Sequence, residues 1–311
     1  MDVSSNVQQL YQIIDERIGN EEETIALEGL IQLGPLLADG TVPSPIREME
    51  KEDIRKAIQL VLLKAMKSSV QMNHQMTPDA IGLLMSYLAE KWMDGRKEVT
   101  VLDPVVGTGN LLYTVLHRLP AVEEAYGIEV DELLIRVAAT VGELSRQPVR
   151  FFLQDSLHEV AIDPVDLIIA DLPIGYYPDE EHALNYRLMP TEGQAYAHHL
   201  LIEQSVERLK DDGIALFLIP NDLFSSEQSD VLHPYFKEEA HITALFQLPP
   251  ILFKDQQLAK SILVVERRTE EKVFDKEVLL APVPDMTDEG AMRQFFQRVN
   301  RWFEEQKESD H

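Results

Sequence analysis

The chain is predicted to adopt an α/β, doubly wound fold: a seven-stranded, mostly parallel sheet with helices on both faces, preceded by a small N-terminal helical layer. Seven short runs rich in β-branched and apolar residues follow one another: VTVLD (99–103), AYGIE (125–129), VRFFL (149–153), DLIIA (166–170), GIALFLI (213–219), ITALFQL (242–248) and SILVVE (261–266). Runs apolar on both faces belong in a covered parallel sheet. Helical stretches such as 131–145 and 195–210 lie between them. Before them, the first 75 residues carry helical periodicity and no convincing strand.

That periodicity is read from Leu10, Ile13, Ile14 and Ile18, then Leu27, Leu30, Ile31 and Leu33, then Ile54, Ile58, Leu62 and Ala65. Gly34-Pro35 and the segment ADGTVPSP (38–45) punctuate it with turn chemistry. A boundary near residue 75 gives an N-terminal helical domain, 1–75, and an α/β domain, 76–311. The last segment, 287–306, reads as a terminal amphipathic helix.

A chain of 311 residues, 45% hydrophobic, is long enough to bury one large core and a smaller one. No apolar run reaches the roughly 18 residues that span a bilayer, and Met1 precedes a polar segment rather than a signal peptide, so a cytosolic location is expected. The lack of cysteine removes disulfides, thiolate metal sites and cysteine nucleophiles. Twenty-eight basic residues against 54 acidic ones give a net charge of -26, and unaided nucleic-acid binding is expected to be weak. Arg47, Lys51, Arg55, Lys56, Lys64 and Lys67 are interleaved with Glu48, Glu50, Glu52 and Asp53, which predicts a solvated helix face with i, i+4 pairing.

In a doubly wound sheet, ligands sit beyond the carboxyl ends of the strands. The first run ends in DPVVGTGN, Asp103 to Asn110, where Gly107 and Gly109 allow a sharp turn and close approach to a ligand. This is neither the G-x-G-x-x-G of dinucleotide binders nor a phosphate loop with Gly-Lys-Ser/Thr. An acid at the strand end suits a cationic or amine-bearing ligand. Glu129 ends the second run, 26 residues on, and can accept ribose hydroxyls; Asp155, after another 26, can accept an adenine amino group. Asp171 ends the fourth. Together the four acids suit S-adenosylmethionine.

DPVVGTGN resembles the D-P-x-x-G-T-G-x motif of N6-adenine DNA methyltransferases, especially the modification subunits of type I restriction systems and the related YtxK-like proteins. The likeness runs over about 74–268 and includes HQMTPDAIGLLMSYL (74–88), similar to the Thr-Pro helix before the glycine motif, and HHLLIEQSVERLKDDGIALFLIPNDLF (198–224). ITALFQLPPILF and SILVVERR resemble the later strands. The resemblance implies a Rossmann-like methyltransferase domain using S-adenosylmethionine. It implies contacts from Thr77, Asp103, Val105, Gly107, Gly109 and Asn110 to the methionine side, from Glu129 to the ribose, and from Asp155 and Ser156 to the adenine, with Val130 and Leu157 about the ring. Thr77 as N-cap before Pro78 needs no ligand, and both roles are compatible.

In the family the fourth strand ends in Asn-Pro-Pro-aromatic or Asp-Pro-Pro-Tyr, whose acid or amide and next carbonyl accept from the target amine while the aromatic stacks on a flipped base. Here the residues are Asp171, Leu172, Pro173 and Ile174. Asp171 and the Leu172 carbonyl keep the acceptors; Ile174 replaces the aromatic, with Tyr176 or Tyr177 as candidates to reach back. Two outcomes stay open: N-methyl transfer to an exocyclic amine, adenine in DNA first and RNA or protein as alternatives, or a cofactor-binding regulatory module without base methylation. Nothing between residue 268 and residue 311 has the length expected of a target-recognition domain, so DNA is expected to be reached through a separate recognition subunit or partner. His198, His199 and Glu203 make an incomplete metal site, because adjacent histidines diverge by about 100° on a helix. Ser225-Ser226 lacks a nucleophile-elbow context.

Overall fold

The computed structural model describes residues 5–68, 76–119, 121–253, 255, 258–269 and 277–309. They fall into two compact units, Met1–Glu90 with Arg96–His158, and Lys91–Gly95 with Glu159–His311. The boundary expected near residue 75 lies outside the described residues, as do His74 and Gln75 of the Thr-Pro segment.

The first unit opens with α1 (Ser5–Ile18), α2 (Glu23–Ala38) and α3 (Lys51–Ala65), followed by α4 (Asp79–Trp92). Three strands come next, β1 (Val99–Asp103), β2 (Val122–Glu129) and β3 (Arg150–Leu153), with α5 (Asn110–Arg118) and α6 (Glu132–Ser145) between them. The strands lie in the order β3-β2-β1 and pair in parallel, Asp103 opposite Gly127 and Glu129 opposite Leu153. Parallel pairing places the C-terminal ends of all three on one edge. The apolar stripe of the first helices closes on the rest of this unit: Leu10, Ile14, Leu27, Leu30, Ile54 and Ile58 share one core with Tyr113 of α5 and Val137 and Val141 of α6. Each short amphipathic helix is marginal alone, and burial of these residues at about 25 cal/mol per Å² holds the layer in place. Asp131 caps α6 by accepting from the amides of Leu133 at 2.8 Å and Leu134 at 3.0 Å.

The second unit contains β4 (Val165–Asp171), α7 (Glu180–Ala183), α8 (Ala197–Glu207), β5 (Leu209–Pro220) and α9 (Ser229–Glu238). It continues through β6 (Ala240–Gln247), β7 (Lys260–Arg267), β8 (Leu279–Pro282) and α10 (Glu289–Ser309). Its strand order is β4-β5-β7-β6-β8; β4 with β5 and β6 with β8 are parallel, whereas β7 runs antiparallel to both its neighbours. Every residue of β4 except Asp171 is buried, as expected of a strand covered on both faces.

The expected seven strands are corrected to eight among the described residues. The additional one, β8, has four residues, alternates buried and exposed positions, and ends in a proline, so its sequence carries little strand signal. The antiparallel direction of β7 makes the sheet mixed. No helix among the described residues is long and apolar enough to cross a membrane.

Candidate functional site

In the first unit, the residues expected around a cofactor gather at the C-terminal edge of β1, β2 and β3. Asp103 is 1% exposed, and its Oδ1 accepts from the Val105 amide at 3.1 Å, fixing the first bend of the loop. Gly107 and Gly109 follow at φ +53° and +80°, a region that L side chains rarely enter. Gly109 leads directly into α5, and its amide donates to the Val106 carbonyl at 2.8 Å.

Hydrogen bonds lash the other strand ends to this turn. The Gly107 amide donates to Glu129 Oε2 at 2.8 Å, while Glu129 Oε1 accepts from the amides of Val130 at 2.9 Å and Asp131 at 3.0 Å. A carboxylate offers about four lone-pair sites, so three backbone donors leave one, on Oε2. Glu129 therefore shapes the turn and keeps one acceptor position. Ser156, after β3, is buried and donates its hydroxyl proton to the Pro104 carbonyl, which ties the third strand end to the same turn. Asp155 is half-buried, with Oδ1 accepting from the Leu157 amide at 2.9 Å and Oδ2 4.0 Å from the His158 ring. Leu157 is buried, whereas Val130 is 72% exposed and presents an apolar face to solvent.

Asn110 and Thr77 are both buried, and the Asn110 amide nitrogen donates to the Thr77 carbonyl at 2.9 Å. The Asn110 oxygen accepts at 2.7 Å from Nη1 of Arg55, a residue of α3 that is 2% exposed. The solvated basic face expected for this stretch is corrected at Arg55, which packs inward with Glu52 and Asp79; Lys56 and Lys64 keep outward ion pairs with Glu52 at 3.5 Å and Asp15 at 2.6 Å.

In the second unit, Asp171 ends β4, and its Oδ1 lies 2.5 Å from Nζ of Lys260, the first residue of β7; both side chains are 20% exposed. Lys260 was invisible in the sequence, where it only precedes a hydrophobic run. Leu172 has a buried side chain, and its amide donates to the Leu218 carbonyl at 3.2 Å. The His198 ring donates to the Pro173 carbonyl, and burial pushes its pKa down to about 4. His199 is fully buried, and burial lowers it to about 3, with neighbouring His198 adding to the shift. Both rings are neutral at physiological pH. Glu203 accepts from the amides of Arg187 and Leu188, each at 2.8 Å. Among the described residues, no cluster of three or more His, Asp or Glu is arranged to hold a metal.

Gly175 lets the chain leave the motif at φ +148°. Beyond it Tyr177 is buried, which takes it out of contention as a surface platform. Tyr176 is 52% exposed and stacks on Tyr196 with ring centres 5.0 Å apart and planes 12° apart. Tyr196 in turn stacks on His198 at 5.1 Å. Both tyrosine hydroxyls donate to Glu227 Oε1 at 3.0 Å. Tyr196 and Glu227 were not legible as partners, since they come from separate segments meeting at the isolated bridge between Tyr176 and Tyr196.

The family model described as N-6 DNA Methylase matches residues 59–311. The chain belongs to the N-6 DNA methylase family. A Bacillus subtilis relative, the uncharacterized protein YtxK, is 46% identical over 259 residues, covering 83% of this chain and 79% of its own. Among solved structures, a Listeria monocytogenes protein provisionally assigned to the class I S-adenosylmethionine-dependent methyltransferases is 36% identical, with a TM-score of 0.88 over 96% of this chain and 99% of that one. The methyltransferase subunit of a Streptococcus thermophilus type I restriction-modification system shares the fold, with a TM-score of 0.57 at 14% identity over 98% of this chain and 78% of that one. In this chain the glycine turn and the Asp171 segment are each ordered by interactions inside their own unit.

Proposed function

We propose that the protein is an S-adenosylmethionine-dependent N-methyltransferase acting on an exocyclic amine, with adenine in DNA as the first candidate acceptor. The observation that carries this is the glycine turn of the first unit. It receives Glu129 from β2 and Ser156 from beyond β3, and an added Cβ at Gly107 would meet nothing within 4 Å. That arrangement fits the cofactor: open space at the turn, a spare acceptor on Glu129 for a ribose hydroxyl, part-exposed Asp155 for an amino group and exposed Val130 for a ring face. Asp103 and the Gly107–Asn110 backbone are then the methionine side. When bound, S-adenosylmethionine supplies an electrophilic methyl group with a neutral thioether as leaving group. Family membership and the Listeria structure support the same reading.

The chain's own part in the reaction is positioning, which can supply much of the rate of a two-reactant step. Asp171 is proposed to accept from the target amine together with the Leu172 carbonyl, whose peptide is fixed by the bond to Leu218. Tyr176, backed by Tyr196 and His198, is proposed as the stacking surface that Ile174 cannot provide. With a net charge of -26, duplex binding is assigned to a separate recognition chain, as the resemblance to type I modification subunits implies.

The pairing of Asp171 with Lys260 at 2.5 Å favours a second reading, a cofactor-binding module whose amine seat is already filled. Calorimetric titration with S-adenosylmethionine tests what the two share; no heat at high micromolar ligand would remove both. Radiolabelled methyl transfer to DNA, RNA and protein fractions, with cell extract supplying partners, separates them. Under the enzyme reading Asp171→Ala lowers labelling by about 10²-fold, the scale of a misplaced reactant. Absence of label in every fraction from the native protein leaves only the binding module.

A further inference from the structure

We propose that Arg55, on α3 of the N-terminal helical layer, is a positioning residue that holds the glycine turn ready for the cofactor through Asn110. This rests on the S-adenosylmethionine reading of that turn. Asn110 follows Gly109 and is the first residue of α5, so its side chain is the first fixed point after two residues at positive φ. Its amide is gripped at both ends, the oxygen by Arg55 at 2.7 Å and the nitrogen by the Thr77 carbonyl at 2.9 Å.

The guanidinium is itself fixed in every direction. Nε donates to Glu52 at 2.7 Å and Nη2 to the other Glu52 oxygen at 2.8 Å. Nη1 and Nη2 donate to the two Asp79 oxygens at 3.1 and 3.3 Å. With Asn110 added, all five N–H donors of the side chain have acceptors. Gln59 donates to Asp79 Oδ1 at 2.5 Å and holds that carboxylate from the far side. Arg55 is 2% exposed, and among the described residues its hydrogen bond outside the carboxylate clamp goes to the glycine motif. A loop with two glycines loses much conformational freedom on ordering, and anchoring it beforehand reduces what ligand binding must supply.

Lysine cannot reproduce the planar five-donor fork, so Arg55→Lys keeps the charge and releases Asn110. Calorimetry with S-adenosylmethionine is expected to show binding weakened about tenfold, the order of one hydrogen bond to a charged group. Hydrogen exchange is expected to quicken at amides 105–110 and stay unchanged over 165–220. The Arg55→Lys/Asn110→Ala double variant is expected to bind no worse than the weaker single variant, since both cut one link. A folded Arg55→Lys protein with native affinity and native exchange at 105–110 would overturn the proposal. Should Arg55→Lys not fold, Glu52→Gln, which loosens the clamp while conserving volume, is read by the same two measurements. If the native protein takes no S-adenosylmethionine, the cofactor reading falls, and the exchange at 105–110 alone decides whether Arg55 holds the turn.

Discussion

Arg55→Met is expected to lower the unfolding free energy by about 3 kcal/mol, the lower end of what removing one partner of a buried ion pair costs. Methionine fills similar volume, so the loss is electrostatic rather than a cavity. It leaves Glu52 at 14% and Asp79 at 30% side-chain exposure without their cation, and the access of water to Asp79 sets the value at the low end. The dependence on pH identifies the cause. Burial alone would raise the Glu52 pKa, but the hydrogen bonds and charge of Arg55 outweigh it, and the value falls below the ordinary 4.5. The Glu52 contribution is therefore fully present above pH 4.5 and is lost as pH falls through the lower folded value. In Arg55→Met burial is opposed only by the charges of Lys56 and His117, so the Glu52 pKa rises from its native value and acid relieves the variant. Urea unfolding at pH 7 and at about pH 4 measures both effects, and the gap between the two proteins narrows in acid. A gap below 1 kcal/mol at pH 7, or one constant with pH, rejects this account.

Arg55 also marks where sequence reading loses its grip. Between Lys51 and Lys56 the charges alternate at spacings that pair on any exposed helix, and Lys56 does pair with Glu52 in that way. Yet Arg55 precedes Ile58 by three positions and Leu62 by seven, which puts it on the same stripe as the buried residues of α3. The signal was present and was outweighed by residue type, because Arg is seldom fully buried unless paired. Its partners Asp79 and Asn110 lie 24 and 55 residues away, so nothing local announces them.

The acids at the strand ends were legible for the opposite reason. A short apolar, β-branched run declares its own end, and parallel pairing carries that end to a known edge. Asp103, Glu129 and Asp155 were located by this rule, but not the backbone amides that Glu129 and Asp155 satisfy. Lys260 shows the limit. Its pairing with Asp171 across 89 residues requires knowing that β7 enters beside β5 in the antiparallel sense. Strand order depends on how helices and edges pack and is weakly written in any single run. Tyr176 was identified by type and position, while its stacking on Tyr196 awaited the bridge that brings the two segments together.

The two glycines of the turn are expected to respond differently to the same substitution. At Gly109 an added Cβ would stand 2.6 Å from Cε2 and 3.0 Å from Cδ2 of Tyr113, and 3.3 Å from the Cβ of Ala138. Tyr113 is fully buried and its hydroxyl donates to the Ala138 carbonyl at 2.7 Å, so the ring has nowhere to swing. Gly109→Ala therefore combines left-handed strain of roughly 1–2 kcal/mol with overpacking of about 1–3 kcal/mol, a loss of about 2–5 kcal/mol. Gly107→Ala carries only the strain, about 1–2 kcal/mol, because its Cβ meets nothing. That vacancy is where the cofactor reading places a ligand, so the milder variant for stability is the more selective one for binding. Chemical denaturation paired with S-adenosylmethionine titration distinguishes them: Gly107→Ala folds with a small loss and binds poorly, whereas Gly109→Ala loses stability first. Equal stability losses would mean the Tyr113 ring yields, and native binding by Gly107→Ala would mean the open side of the turn is not where the ligand lies.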